Sequence, residues 1–414
     1  MNKEELSFDG KILHTPYGKP DAYGALSMPV YQSAAFEFET AEEMEAAFLG
    51  KSPNHTYSRI TNPTVQYFES RVQTITGALS VTALNSGMAA ISNVFISLAQ
   101  MGSNIVASKH IFGNTYSFFI STLAAFGVET RFCDLTNPYE VEAHIDENTC
   151  AVFLEIVTNP QLEVADLRAI SAITQEKGVP LVADTTVIPF CAFKAKDFGI
   201  NIEIVSSTKY ISGGATGIGG LILDYGNFNW LSLPKLHTVA KEFGPAAFTV
   251  KLRKEIHRNL GAYMTPQVAY MQTLGLETLS IRFERATKTC TELVRKLEKI
   301  SNIESVNYTG LVSNKYYALS KAQFGDHPGA MFTMNLASRE ACFSFLNKLK
   351  LVRRATNLFD NKTLAIHPAS TIFGTFTSEI RKEMNVSDKT IRISVGLEDI
   401  EDLYADFVQA LHNS

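Results

Sequence analysis

The chain has 414 residues, 45% of them hydrophobic and 19% charged, with a formal net charge of −5. That balance excludes a disordered or fibrous polymer, and lysines and arginines scattered along the chain offer no basic stripe or arm to nucleic acid. No apolar run approaches the roughly 18 residues that span a bilayer, and the opening stretch MNKEELSFDGKILHTPYGKP lacks the apolar core of a secretory signal, so a cytoplasmic protein of two or three domains is expected.

In chain order, residues 1–61 form an arm rich in Pro, Gly and Tyr with one plausible helix, TAEEMEAAF at 40–48. Residues 62–262 read as a large α/β domain, because β-rich apolar runs alternate there with stretches of helical length. The predicted strands are SVTAL (80–84), NIVAS (104–108), VETRFCD (128–134), CAVFLEIV (150–157), PLVAD (180–184), IEIVS (202–206) and GGLILD (219–224), giving one seven-stranded, mostly parallel sheet. Residues 263–414 read as a smaller α+β domain, with a long helix over 278–300 and short strands in AMFTMNL and TIRISVGL. Five widely spaced cysteines and the absence of His/Cys ligand spacing point to reduced, packed thiols and to no metal.

Ligands of an open parallel sheet collect beyond the carboxyl ends of its strands, so those ends are read together. They deliver Asp184 from PLVAD, Asn159 from FLEIVTNP, and Ser206, Thr208 and Lys209 from IEIVSSTK. The turn NSGMAAI opens a predicted helix with Ser86, Gly87 and Met88, whose free amides suit a phosphate. A phosphate cradle beside a lysine calls for a phosphorylated cofactor that reacts with an amine. Pyridoxal phosphate fits, with Lys209 as its covalent partner and Asp184 keeping the pyridine nitrogen protonated.

YSRITNPT (57–64), NSGMAAI (85–91), VADTT (182–186), SSTKYISGG (206–214), RNLGAYMTPQVAYMQTLGLETLSIRFER (258–285) and IRISVGLEDIEDL (391–403) together resemble the Cys/Met-metabolism family of pyridoxal-phosphate enzymes, of PLP fold type I. The resemblance implies that Lys209 is the Schiff-base lysine and Asp184 the pyridinium partner. It implies that Ser206, Thr208 and the Gly87 and Met88 amides bind phosphate, and that Asn159 bonds the cofactor's 3′ oxygen. It places Arg392 on the substrate α-carboxylate, with Asn357 lining that pocket. Tyr57 and Arg59 are implied to reach the cofactor of an adjacent subunit, which makes the site composite and the protein a homotetramer built as a dimer of dimers. One departure stands out: the family's ring-stacking tyrosine is replaced by Phe112 in HIFGNTY. The proton shuttle then falls to Lys209, Tyr57 or Tyr116, or the leaving group needs less acid help.

Within the family, residues 243–279 most resemble the sulfhydrylases, which implies γ-replacement of O-acetyl-L-homoserine by sulfide or a thiol to give L-homocysteine and acetate. The chief alternative is γ-elimination, as in a methionine γ-lyase or a cystathionine-type enzyme. The glycines of GATGIGG (214–220) raise a nicotinamide oxidoreductase as a rival, but they follow the sixth strand rather than opening the first βαβ unit. A non-catalytic scaffold of the same fold is the other rival, opposed by the intact set of Lys209, Asp184 and Arg392.

Overall fold

The computed structural model describes residues 6–16 and 21–412, so parts of the opening stretch and the last two residues fall outside it. A seven-stranded sheet comprises β1 (Ser80–Leu84), β2 (Asn104–Ser108), β3 (Glu129–Cys133), β4 (Thr149–Glu155), β5 (Leu181–Asp184), β6 (Ile202–Val205) and β7 (Gly220–Asp224), in the order β1-β7-β6-β5-β4-β2-β3. All seven expected strands are present within two residues of their predicted ends. The pairs among β2 to β6 are parallel, while β7 runs against both β1 and β6.

The sheet is covered on both faces, which is why its strands read as unbroken apolar runs. Successive side chains on a strand point to opposite faces. Thus Val152 and Leu154 enter one core with Leu181, Ala183, Leu221 and Leu223, whereas Phe153 enters the other with Val182, Ile202, Ile204 and Ile222. Phe95, Phe119 and Phe153 meet edge to face in that second core at 4.8 to 5.6 Å. Each such ring contributes about 1.5–3 kcal/mol through burial.

Helix ends are set by local chemistry. Asn62 caps the helix Pro63–Thr76 by accepting from the Thr64 amide, Pro63 presets its first turn, and Gly77 closes it at φ 66°, where a side chain would be strained. A second sheet, β8 (Ser305–Asn307), β9 (Met331–Asn335), β10 (Arg353–Arg354), β11 (Leu364–Ile366) and β12 (Thr390–Ser394), runs β10-β11-β12-β9-β8. It packs with the helices Leu279–Leu297, Arg339–Lys348 and Ile400–His412 around a separate core. Met264, Ala269, Leu276, Leu279 and Phe283 belong to a core of the large sheet, and the second core begins with Ala286. The 19-residue helix Leu279–Leu297 therefore spans both cores.

A carboxyl lies fully inside the large sheet. Glu203 on β6 is fully buried, facing away from Ile202 and Ile204, and accepts the hydroxyls of Thr185 and Tyr225. Burial pushes its pKa up from 4.5 to about 7, against the pull of those two donors. A carboxyl whose folded pKa exceeds its unfolded one contributes stability below the lower value and loses it as pH rises through the higher. The melting temperature is accordingly expected to fall between pH 5 and pH 8, in part through Glu203. Glu203→Gln, which keeps the volume and removes the ionisation, should flatten that fall. A variant with the native slope across this window would show that Glu203 does not titrate there.

Candidate active site

The carboxyl ends of β1, β4, β5 and β6 open into a cavity of about 560 Å³. At one end, the helix Gly87–Leu98 points its first turn inward. Ser86 caps it by accepting the Ala89 amide at 3.0 Å, leaving the Gly87 and Met88 amides in the unpaired first turn. A Cβ on Gly87 would meet the Ser206 Cβ at 3.0 Å and its Cα at 3.3 Å, so glycine lets the helix terminus and the loop after β6 approach closely enough to form one cradle. The Ser206 amide is in turn held by the Thr186 hydroxyl at 2.8 Å. Thr208 lines the same cavity, but its hydroxyl donates to the Gly219 carbonyl at 3.1 Å and accepts the Gly219 amide at 3.0 Å, bracing the lysine loop against the chain that leads into β7.

Lys209 follows directly. Its Nζ donates to Asn357 Oδ1 at 2.8 Å, and burial, followed by the Arg392 charge, lowers its pKa from 10.5 to about 8. Asp184 ends β5, with Oδ1 accepting the Thr186 amide at 2.9 Å. Burial raises its pKa, and the Thr186 donors and Lys209 pull the other way. Arg392 on β12 is 2% exposed and donates only to neutral oxygens, those of Asn159 Oδ1 at 3.2 Å, the Asn357 carbonyl at 3.3 Å and the Thr356 carbonyl at 3.4 Å. Its Nε has no protein partner, and burial alone pushes its pKa down to about 9. Phe112 and Asn159 line the cavity wall.

The structure thus gathers Ser86, Gly87, Met88, Phe112, Asn159, Asp184, Ser206, Thr208, Lys209 and Arg392 around one cavity, with Asn357 joined to it through Lys209. Tyr57 and Arg59 are elsewhere in this chain: Tyr57 is exposed, and Arg59 donates to the Arg258 carbonyl at 2.6 Å beside a different pocket. Tyr116, one of the three candidate proton shuttles, is also outside the cavity, stacked on Phe132 at 5.0 Å. Sequence reasoning missed Glu155, Thr186, Ile218, Leu358 and Ile372, which share the lining with Ile91, Asn114, Val187 and Thr356. Among these Glu155 is the carboxylate, at the end of β4 and paired in register with Asp184.

Comparison with known proteins agrees with this geometry. Residues 9–412 match the family described as Cys/Met metabolism PLP-dependent enzyme. The O-acetyl-L-homoserine sulfhydrylase 1 of Thermus thermophilus is 34% identical over 420 residues, covering 98% of this chain and 100% of that protein. The crystal structure of an O-acetylhomoserine (thiol)-lyase from Campylobacter jejuni, which carries an N′-pyridoxyl-lysine-5′-monophosphate, superposes with a TM-score of 0.95 at 30% identity, covering 98% of this chain and 100% of that one. An O-acetylhomoserine sulfhydrylase from the methionine biosynthetic pathway of Wolinella succinogenes is 44% identical, with a TM-score of 0.77, covering 86% of this chain and 99% of that one.

The residues present also fit such a cofactor on their own terms. The cradle at Gly87 supplies amides for a dianion, Lys209 is a buried amine of lowered pKa, and Asp184 is a buried carboxyl suited to a cationic ring nitrogen. Borohydride reduction followed by peptide mapping is expected to fix a pyridoxyl group on Lys209. A label on any other lysine would remove Lys209 from its place here.

Proposed function

The chain belongs to the Cys/Met-metabolism PLP-dependent enzymes, and from that membership and the cavity we propose that it catalyses γ-replacement: O-acetyl-L-homoserine and sulfide give L-homocysteine and acetate. Bound pyridoxal phosphate supplies the electron sink that stabilises negative charge on the amino acid's carbon chain. The chain's own residues do the rest. The observation that carries the reading is Arg392, a buried guanidinium with only neutral oxygens around it and a free Nε. A planar fork in that state is suited to a carboxylate held by two parallel bonds. It therefore fixes the substrate's α-carboxylate, and with it the direction in which the α-hydrogen points.

Lys209 then acts as the base at the α-carbon. A pKa near 8 leaves a useful share of the amine neutral at physiological pH, and Asn357 Oδ1 orients its nitrogen. Asp184 holds the ring nitrogen's proton, with Thr186 fixing the carboxylate. Ser206 and the Gly87 and Met88 amides would hold the phosphate, and Phe112 would lie against the ring. Phe112 has no hydroxyl to protonate a leaving group. Acetate leaves as a stable anion and needs no such proton, whereas a thiolate does. Met88, Ile91, Val187, Ile218, Leu358 and Ile372 make most of the remaining wall apolar, with Asn114 and Thr356 as its polar members, and the cavity's own cations are Lys209 and Arg392. That lining favours a short neutral acyl group over a succinyl or phosphoryl one.

Incubation with O-acetylhomoserine and sulfide is expected to yield homocysteine as the main product. Formation chiefly of 2-oxobutanoate under those conditions would assign elimination instead.

The assembly we propose is a homotetramer with sites shared between paired subunits, in the cytoplasm. In support, Tyr57 and Arg59 lie outside their own cavity, and the arm presents Tyr23 at 97% and Leu26 at 98% exposure. Lys209→Ala and Arg59→Ala chains should each be inactive alone. Co-expressed, they should regain up to about a quarter of native activity, because each mixed pair keeps one intact site. No regain would mean that each chain completes its own site.

A further inference from the structure

Glu155 takes part in none of the steps above, yet it occupies the floor of the cavity. It ends β4, is buried, and lies beside Asp184 in the register between β4 and β5. Its two oxygens are used separately: Oε1 accepts the Phe112 amide at 2.6 Å and Oε2 accepts the Asn159 amide at 3.2 Å. Those amides open two different turns. Phe112 begins the helix Gly113–Ser117 without a side-chain cap of its own, so Glu155 satisfies that terminus from across the sheet. Asn159 carries the side chain that takes up Arg392.

We propose that Glu155 is a positioning residue: it ties the stacking ring of Phe112 and the edge contact of Asn159 to one carboxyl, and so sets the width of the slot in which the cofactor ring sits. The geometry supports this directly. A carboxyl spans both turns, whereas a side chain with a single acceptor holds one of them. Burial, and after it the Asp184 charge, raise the Glu155 pKa to about 8, while the Phe112 and Asn159 amides pull it down. Such a placement stabilises little by itself. Its effect is on which atoms the two turns present to the ring. The connection also runs outward: His110, two residues before Phe112, pairs with Glu163 at 2.7 Å and contacts the Glu383 carbonyl at 3.2 Å, so the same turn is secured on its far side.

The inference rests on the cofactor assignment and is independent of which nucleophile or acyl ester the enzyme uses. The test follows the cofactor rather than turnover. Holoenzyme is prepared from the native chain, Glu155→Ala and Glu155→Gln, and three quantities are read: the dissociation constant for pyridoxal phosphate, the visible circular dichroism of the bound cofactor, and the melting temperature. Glu155→Ala should bind the cofactor about tenfold or more weakly, with a reduced visible signal per bound cofactor. Glu155→Gln keeps one acceptor and the same volume, and should fall between the two. A lower melting temperature with native cofactor affinity and native visible signal would reduce Glu155 to a structural role and overturn the proposal. Should the alanine variant fail to fold, the glutamine variant decides, and native values for it would overturn the proposal equally.

Discussion

Isolated charge held away from water is the constraint from which the rest of this structure follows. Removing a carboxylate or a guanidinium from water costs several kcal/mol unless something offsets it. Here Asp184 and Lys209, beyond the strand ends of the large sheet, and Arg392, on β12 of the second sheet, face one cavity with little access to water. Lys209 and Asp184 offset each other in part, but Arg392 has only amide oxygens, and its positive charge also presses on Lys209. A site with this imbalance gains stability from a ligand that brings a cation to Asp184 and a carboxylate to Arg392, with phosphate at the helix terminus. A pyridinium cofactor bearing an amino acid is such a ligand. The same imbalance that makes the site costly to fold makes it selective for its occupants.

The sheet supplies the rigidity that this requires. Parallel strands buried on both faces bring Glu155, Asp184 and the Ser206 loop to one edge in adjacent registers. Their positions are therefore set by backbone hydrogen bonds, not by mobile loops.

Much of this was legible in the sequence, because the signals were local. Seven apolar runs ended in turn residues, and a capped helix start stood at Ser86 and Gly87. The reversed direction of β7 was not legible, since apolar pattern is indifferent to strand polarity. Nor was the membership of residues 264–283 in the large core. An amphipathic stripe announces that a helix has a partner without saying which one. Within the site, a motif reading identified residue types but not the other bonds they make. Thr208 gives its hydroxyl to Gly219, and Tyr116 turns into an aromatic cluster, because neighbours distant in sequence compete for those groups. Glu155 went unread for a related reason: its partners are backbone amides, which leave no trace in side-chain identity.

The second sheet is more than a wall. The loop between β10 and β11 places Asn357 on Lys209, offers its carbonyl to Arg392, and bonds the Asn361 amide to the Gly213 carbonyl at 2.6 Å. Two residues after Asn357, Phe359 adopts φ 54°, a left-handed conformation that costs a non-glycine residue roughly 1–2 kcal/mol. Its ring stacks on Tyr210 at 4.2 Å and 12°, and its amide donates to the Ser394 hydroxyl at 2.6 Å. Stacking contributes about 0.5–1.5 kcal/mol beyond burial, and the buried hydrogen bond about 0.5–1.5 kcal/mol, so together they offset the backbone strain. Tyr210 is the residue after Lys209. The strained turn is thus held by the neighbour of the very lysine whose amine it orients, and Ser394 ties it to the strand that carries Arg392. One loop of the second domain thus ties the base to the strand that bears the carboxylate anchor.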